Sequence, residues 1–171
     1  MIRVVVDDLG FFPADAIVRP ATTQLAPTTP ALRRLEQMGG PEFQRHLDLH
    51  TELVVGAAVV TAAGGDLPSE FVIHAIIQSH EEPVSRRGVA RAWRSALERA
   101  RQWGFARLSV PPLGTGAGNL SIEDAAEILV MELNEQPPDA TAPSDIAIVV
   151  ETEEQRDVFE GTLRRIRARR S

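Results

Sequence analysis

The sequence contains no cysteine, no lysine and no tyrosine among its 171 residues. The absence of cysteine excludes disulfides, thiolate metal sites and a cysteine nucleophile, and the absence of lysine excludes Schiff-base chemistry. No apolar run approaches the roughly 20 residues that a membrane-spanning helix needs, and residues 1–4 begin a strand rather than a signal peptide. We therefore expect a cytoplasmic protein without a membrane partner.

The net charge argues against nucleic acid as a partner. The formal net charge is −6, whereas proteins that bind nucleic acid broadly carry a basic face. Arginines do cluster near the end of the chain, at Arg164, Arg165, Arg167, Arg169 and Arg170. Because cations are favoured at a helix C-terminus, we interpret this cluster as the solvated end of a helix and expect no nucleic-acid partner.

The order of apolar segments predicts one α/β domain over residues 1–171. The predicted strands are residues 2–6, 15–18, 57–61, 71–77, 108–110 and 145–150. The predicted helices are residues 32–38, 42–49, 85–103, 121–135 and 153 to about 167. This interleaving indicates a three-layer α-β-α fold, with a central mixed, largely parallel six-stranded sheet and helices on both faces.

Residues 110–121 are the strongest candidate for a functional segment. Glycines at positions 114, 116 and 118 follow a short strand, and Ser121 with Asp124 forms the pattern of a capping box that opens a helix. Glycines allow positive φ and close approach of a ligand, and loop amides beside a helix N-terminus suit an anion such as phosphate. Taken alone, the three glycines are equally consistent with a plain tight turn.

Several strand ends carry polar residues or glycines that could form one site. They are Asp8 with Leu9, residues 19–22, the glycine loop, and Glu151 with Thr152. In open α/β sheets, ligands bind at the carboxyl ends of the strands. We therefore expect Asp8, Arg19 and residues 114–118 to border one cleft.

Three motifs follow one another in an order that a known family shares. The acidic turn at residues 7–9 is followed by Asp-Ala-Ile-Val at 15–18. Residues 56–68 then precede Phe-Val-Ile-His-Ala at 71–75, and the glycine loop precedes two alanines at 125–126. Over nearly the whole chain this order resembles the macro domain family, whose members bind ADP-ribose.

The resemblance implies a site for ADP-ribose or a related adenine nucleotide. The Asp8 carboxylate would accept a hydrogen bond from the adenine amino group, and the Leu9 amide would contact a ring nitrogen. The glycine loop would hold the diphosphate and the distal ribose. The implied ligand-binding residues are Asp8, Leu9, Arg19, Thr22, Leu113, Gly114, Thr115, Gly116, Ala117, Gly118 and Asn119. No metal and no separate cofactor is expected, and ADP-ribosylated protein is an expected second partner.

The sequence departs from the family pattern after the second strand. The family has two asparagines that contact the distal ribose and, in hydrolytic members, help to position substrate and water; this chain has Val-Arg-Pro-Ala-Thr at 18–22. A second glycine-rich phosphate clamp is replaced by residues 26–32, where prolines lack amide donors and threonines disfavour positive φ. Arg19 would either replace the lost donors through a charge-assisted bond to phosphate or extend into water.

Histidines and tryptophans elsewhere have structural interpretations. His46 and His50 lie at i and i+4, a spacing that can bind zinc, but without a clear third ligand they indicate a surface pair. His74 lies within a predicted strand and indicates a hydrogen-bonded core histidine more than a catalytic base. Trp93 and Trp103 indicate core packing and packing at a helix end.

Three functions are compatible with these observations. The leading one is a non-catalytic module that binds ADP-ribose or a related nucleotide. The second is an ADP-ribosyl hydrolase, which the loss of both asparagines disfavours. The third is a ligand-free fold used for protein interactions, which the retention of Asp8 and the glycine loop disfavours. The sequence does not specify an oligomeric state.

Overall fold

Six strands form one mixed sheet in the computed structural model, which describes residues 1–47, 53–116, 119–137 and 143–170. The strands are β1 (Ile2–Val6), β2 (Ala16–Thr22), β3 (Ala58–Ala62), β4 (Phe71–Gln78), β5 (Arg107–Val110) and β6 (Asp145–Val150). Their order across the sheet is β1-β6-β5-β2-β4-β3. All neighbours are parallel except β3 and β4. The predicted mixed, largely parallel sheet is confirmed.

Helices cover both faces of this sheet. In the described part of the chain they are α1 (Pro30–Leu47), α2 (Arg86–Trp103), α3 (Ile122–Asn134), α4 (Glu153–Arg170) and a 3-10 turn at Leu9–Phe11. The largest cluster of buried side chains packs α2 and α3 against one face, and two smaller clusters pack α1 against the other. The predicted three-layer arrangement is therefore confirmed. Among the described residues, no helix combines the length and apolar character needed to span a bilayer.

Helix α2 follows directly from its sequence pattern. Ser85 caps its N-terminus by accepting a hydrogen bond from the Gly88 amide, and a left-handed glycine, Gly104, ends it. Trp93 is fully buried on its apolar stripe, and its indole nitrogen donates to the α3 carbonyl of Leu129 at 3.1 Å. Trp103, at the end of the helix, packs against two phenylalanine rings. Both tryptophans thus have the packing roles that the sequence predicts.

Strand β2 is longer than predicted. The expectation that Arg19 and Pro20 end it was wrong, since β2 continues to Thr22. Strand β5 pairs with β2 only at Ala16 and Ile17, so the second half of β2 is open on that side. A proline is tolerated beside an open edge because it removes no ladder hydrogen bond there.

Helix α1 contains the break that the sequence predicts at Gly39-Gly40-Pro41. Two helices were expected, over residues 32–38 and 42–49, and the structure shows one element with a kink at Gly40, where φ is 66° and ψ is −163°. The helix also begins two residues earlier than expected, at Pro30. Residues of its first turns line the candidate site described below.

The aspartate before β2 joins that strand to β5. Asp15 Oδ2 accepts hydrogen bonds from the amides of Ala106 and Arg107 at 2.9 and 2.8 Å. Burial raises the pKa of this carboxyl, but the hydrogen bonds from Arg107 and Ala106 outweigh that effect and hold the pKa below its usual value. Asp15 therefore stabilises the sheet in its charged form.

Candidate functional site

A cleft with a volume of about 630 Å³ opens at the carboxyl edge of the parallel strands β1, β6, β5 and β2. It is bordered by the loops that follow β1, β5 and β6 and by the first turns of α1. Asp8, Leu9, Thr115 and Gly116 all line it. Of the residues expected to border one cleft, Asp8, Thr115 and Gly116 do so, whereas Gly114 does not line it.

The acidic turn holds a carboxylate beside a backbone donor. Asp8 caps the 3-10 turn, since its Oδ1 accepts a hydrogen bond from the Gly10 amide at 2.9 Å. The Asp8 amide in turn donates to Asp7 Oδ1 at 2.7 Å. Within the described residues, Asp8 Oδ2 and the Leu9 amide have no hydrogen-bond partner. The turn thus offers one acceptor and one donor at the cleft, next to each other.

Gly114 fixes the glycine loop against the rest of the fold. Its φ of 84° lies in the left-handed region, and a Cβ there would come within 2.8 Å of Val89 Cγ2 in α2. Any side chain would therefore both strain the backbone and push the loop off the helix. Leu113, immediately before it, is fully buried in the main core. These two residues support the loop from below.

The loop's carbonyl groups face the chain that follows. Gly114 O accepts from the Leu120 amide at 3.0 Å, and Gly116 O accepts from the backbone amide of the exposed Asn119 at 3.1 Å. In a trans peptide the carbonyl and the following N–H point in opposite directions, so the Thr115 N–H points away from Leu120. Thr115 lines the cleft, so its amide is a candidate donor for a ligand. The predicted site residues Ala117 and Gly118 lie outside the described residues.

The helix after this loop begins as predicted, with one difference. Ser121 Oγ accepts from the Asp124 amide at 3.1 Å and is the N-cap of α3. The reciprocal half of a capping box is absent, because the Asp124 carboxylate forms an ion pair with Arg86 of α2. The ion pair holds the start of α3 against α2.

Arg19 does not border the cleft, and both expectations for it were wrong. Its side chain is fully buried beneath the cleft, between β2 and α1. Its three guanidinium nitrogens donate to His74 Nδ1 at 2.8 Å, Glu36 Oε1 at 2.8 Å and Leu25 O at 2.6 Å. The Arg19 guanidinium is therefore bonded to protein groups and does not line the cleft.

Burial lowers the pKa of Arg19 but does not deprotonate the side chain at neutral pH. Desolvation lowers the pKa of the guanidinium to about 10, while the charge and hydrogen bond of Glu36 act in the opposite direction. The group stays protonated at neutral pH. The expectation that His74 is a hydrogen-bonded core histidine is confirmed, because it is fully buried and its Nε2 lies 2.8 Å from Thr61 Oγ1.

The hydroxyl of Thr22 is hydrogen-bonded within its own loop. Its Oγ1 accepts from the amides of Gln24 and Ala26 at 3.2 and 3.1 Å. It does not line the cleft; the residues of this segment that do are Pro20 and Thr29. The geometry therefore separates Thr22 and Arg19 from the residues of the acidic turn and glycine loop.

One cation faces the cleft, and sequence reasoning missed it. Arg34 is exposed on the first turns of α1, lines the cleft, and makes no hydrogen bond or ion pair within the described part of the chain. Asp7, Asp8 and Glu151 line it from the ends of β1 and β6. The cleft is thus negative at one end and positive at α1. Arg34 lies within the helix predicted over residues 32–38, but the sequence does not show that this helix packs with Arg34 at the cleft.

The histidine pair proposed from spacing cannot be placed. The side chain of His46 and all of His50 lie outside the described residues. In the part of the chain that is described, no group of three or more histidine, aspartate or glutamate side chains is arranged to hold a metal ion. Among the described residues that line the cleft, the charged side chains are carboxylates and the Arg34 guanidinium.

Comparison with known proteins identifies relatives over most of the chain. Residues 18–129 match the family model described as Macro domain. An uncharacterized protein of Mycobacterium tuberculosis is 32% identical over 124 residues, which are 72% of this chain and 34% of that protein. An O-acetyl-ADP-ribose deacetylase of Enterobacter sp. is 28% identical over 168 residues, covering 95% of this chain and 93% of that one. The chain thus spans about a third of the length of the mycobacterial relatives it matches.

Solved structures share the fold. An Oceanobacillus iheyensis macrodomain with ADP has a TM-score of 0.84 and 21% identity, covering 97% of this chain and 91% of that one. A Trypanosoma brucei macrodomain in complex with ADP-ribose has a TM-score of 0.80 and 20% identity, covering 94% of this chain and 68% of that one. At this identity the likeness establishes the architecture, and the ligands belong to those proteins.

Proposed function

Because this chain belongs to the macro domain family, we propose that it binds ADP-ribose or a related adenine nucleotide in the cleft and does not hydrolyse it. The observation that carries the proposal is the pairing of the acidic turn and the glycine loop on one cleft. Structural neighbours with ADP and with ADP-ribose support the choice of ligand.

The acidic turn suits adenine in particular. The exocyclic amine of adenine is a donor and its adjacent ring nitrogen is an acceptor, which matches the Asp8 carboxylate beside the Leu9 amide. Guanine presents the reverse pattern, an acceptor oxygen and a ring N–H. Guanine would therefore place its oxygen against the Asp8 carboxylate and its ring N–H against the Leu9 amide, and neither pair could form a hydrogen bond. Sites built on hydrogen bonds reject such a mismatch strongly.

The other half of the cleft suits a phosphate. The Thr115 amide and the positive end of the α1 dipole both favour an anion, and the unpaired Arg34 adds a charge-assisted donor. A dinucleotide-like ligand with its base at Asp8 would therefore extend its diphosphate toward Thr115 and α1.

Hydrolysis is the second candidate function, and the Enterobacter deacetylase is the observation that favours it. An acid or base must lie within about 3 Å of the reacting atoms. Residues 22–30 contain no aspartate, glutamate, histidine or asparagine. Arg19 remains protonated, and the ring nitrogens of His74 contact Arg19 and Thr61 inside the core. These facts support binding without turnover.

We expect the protein to bind ADP and ADP-ribose and to prefer ADP to GDP by tenfold or more in calorimetry. Asp8→Ala should abolish this preference, because the acceptor for the exocyclic amine is gone. Asp66→Ala, an exposed carboxylate that does not line the cleft, is the matched control and should change nothing. Unchanged affinity of the Asp8→Ala protein for ADP-ribose would remove the adenine assignment, and no binding by the wild type would favour an interaction module.

We expect no turnover, even at saturating substrate, because residues 22–30 contain no acid or base and the carboxylates of the cleft lie at the ends of β1 and β6, where the base is proposed to bind. The measurements are release of ADP-ribose from a mono-ADP-ribosylated protein and release of acetate from O-acetyl-ADP-ribose. A heat-inactivated sample supplies the background rate. Product release that exceeds this background and is lost in Thr22→Val would establish the hydrolase instead.

A further inference from the structure

In the first part of the loop between β2 and α1, the backbone donors are bonded to the protein. Thr22 Oγ1 accepts from the amides of Gln24 and Ala26, and Thr22 O accepts from the Leu25 amide at 2.8 Å. The Thr22 amide donates to Ala26 O at 3.2 Å, and the Thr23 amide donates to a β4 carbonyl at 3.0 Å. The next residue, at position 27, is a proline. Every amide hydrogen from 22 to 27 is therefore already bonded to the protein.

The same loop is held from beneath by Arg19. Leu25 is buried, with 2% of its surface exposed, and its carbonyl accepts from the guanidinium. Glu36 of α1 pairs with the same guanidinium. Turning the loop toward a ligand would remove one of the three hydrogen-bond acceptors of this buried guanidinium, which costs free energy. The loop is thus fixed in its closed, self-bonded form.

The cleft ends where this loop meets the glycine loop. Residues 21–28, all of them described, do not line it, and Thr29 is the first lining residue on the α1 side. A Cβ on Gly116 would lie 3.7 Å from Thr29 Cγ2, so the two segments approach each other here. Past this approach lie residues 22–27, whose amide hydrogens are already bonded to the protein.

We propose that the cleft recognises a nucleoside diphosphate, and that the group attached to the second phosphate extends outside it without specific contacts to the described residues. This inference rests on the proposed nucleotide-binding function. The base lies at the acidic turn and the diphosphate lies between Thr115 and Arg34. The second ribose of ADP-ribose, or a protein attached to it, then adds no binding free energy. The cleft therefore does not discriminate between ligands that differ only beyond the second phosphate.

Calorimetry with AMP, ADP and ADP-ribose tests this limit directly. We expect ADP and ADP-ribose to have dissociation constants within threefold of each other, and AMP to bind at least tenfold more weakly because it lacks the second phosphate. Binding of ADP-ribose tenfold tighter than ADP would overturn the inference and leave the nucleotide-binding function standing. Equal binding of AMP and ADP would also overturn it. Binding of none of the three would overturn both.

Thr22→Val tests whether the loop reads the second ribose. Valine keeps the shape and removes the hydroxyl, so the ratio of ADP to ADP-ribose affinity should stay within threefold of the wild-type ratio. Thr23→Val is the control, because its hydroxyl makes no hydrogen bond with the described residues. A loss of ADP-ribose binding alone, seen in Thr22→Val and not in Thr23→Val, contradicts the inference.

Arg34→Ala supplies a variant whose folding is not at risk, because the side chain is exposed. It should weaken ADP and ADP-ribose equally, by fivefold or more, since both carry the second phosphate. Arg33→Ala, the exposed neighbour outside the cleft lining, should leave both affinities unchanged. An effect of Arg34→Ala on the affinity for ADP-ribose alone, or for neither ligand, would contradict the placement of the second phosphate at Arg34.

Discussion

At the scale of single residues, one buried guanidinium joins three parts of the molecule. Arg19 Nε carries a hydrogen and can only donate, so His74 Nδ1 must accept. His74 is therefore neutral, with its proton on Nε2, and the Nε2–H donates a hydrogen bond to Thr61 Oγ1. A histidine held in this way on both ring nitrogens is part of the core rather than a proton carrier. The chain Thr61-His74-Arg19-Glu36 runs from β3 to α1.

Replacing Arg19 with methionine should destabilise the protein by about 3–5 kcal/mol, because it leaves Glu36 and the Leu25 carbonyl without their buried partner. The measurement is urea-induced unfolding of both proteins. Arg33→Met, on the exposed side of α1, should change the free energy of unfolding by less than about 0.5 kcal/mol. A change below 1 kcal/mol for Arg19→Met would show that the ion pair can be replaced by apolar packing.

Asp15→Asn should destabilise the protein at pH 7 by about 1–2 kcal/mol, because charge-assisted hydrogen bonds to two amides become neutral ones. The pKa of Asp15 is lower in the folded protein than in the unfolded chain, where it is about 3.9. Its contribution is therefore complete above that value and is lost as the pH falls through the folded pKa. Unfolding curves at pH 7, 4 and 3 should show the difference between wild type and variant shrinking with acidification. A difference that is constant with pH would contradict this origin.

At the scale of elements, the sequence predicts what depends on local pattern. Helix α2 and strand β6 are found where the apolar periodicity places them. Asp8 and Thr115 meet because the carboxyl ends of parallel strands share one edge. The burial of Arg19 was not predictable, because its partners come from three distant segments. Arg34 lies within the helix predicted over residues 32–38, but its place at the cleft was missed because it depends on how α1 packs against the sheet, which the apolar pattern does not specify.

The glycine loop provides a prediction at this scale. Gly114→Ala should destabilise the protein by about 1–3 kcal/mol and weaken nucleotide binding, because it adds left-handed strain and a contact with Val89. Gly161→Ala, in the middle of α4 with no heavy atom closer than 3.9 Å to its added Cβ, should be neutral or stabilise by up to about 1 kcal/mol. Thermal unfolding and calorimetry on both variants supply the test, and wild-type behaviour of Gly114→Ala would show that the loop can shift freely.

At the scale of the whole molecule, the cleft draws on segments spread along the chain. The loop after β1, helix α1, the loop after β5 and the loop after β6 each supply lining residues. A ligand in the cleft therefore contacts both layers of helices through their connections to the sheet. Binding should stabilise the fold as a unit rather than one end of it.

This coupling predicts a thermal shift. ADP at 100 times its dissociation constant should stabilise the folded state by about 2.7 kcal/mol. For a chain of this size that corresponds to a rise in Tm of about 5–11 °C. The shift should disappear with adenosine at the same concentration, because adenosine has no phosphates. Melting in two steps, of which only one moves with ADP, would contradict the single coupled unit.

The pairing of β1 with β6 has a consequence for the order of assembly. Strand β1 is at the edge of the sheet, and its register joins Ile2 to Ile146 and Val6 to Val150. During translation β1 emerges first, but its only partner strand emerges after every other strand. Contacts so distant in sequence form late because loop closure must precede them. The acidic turn that follows β1 therefore joins the cleft in the last stage of folding, and a nascent chain without β6 has no complete binding site to be protected by its ligand.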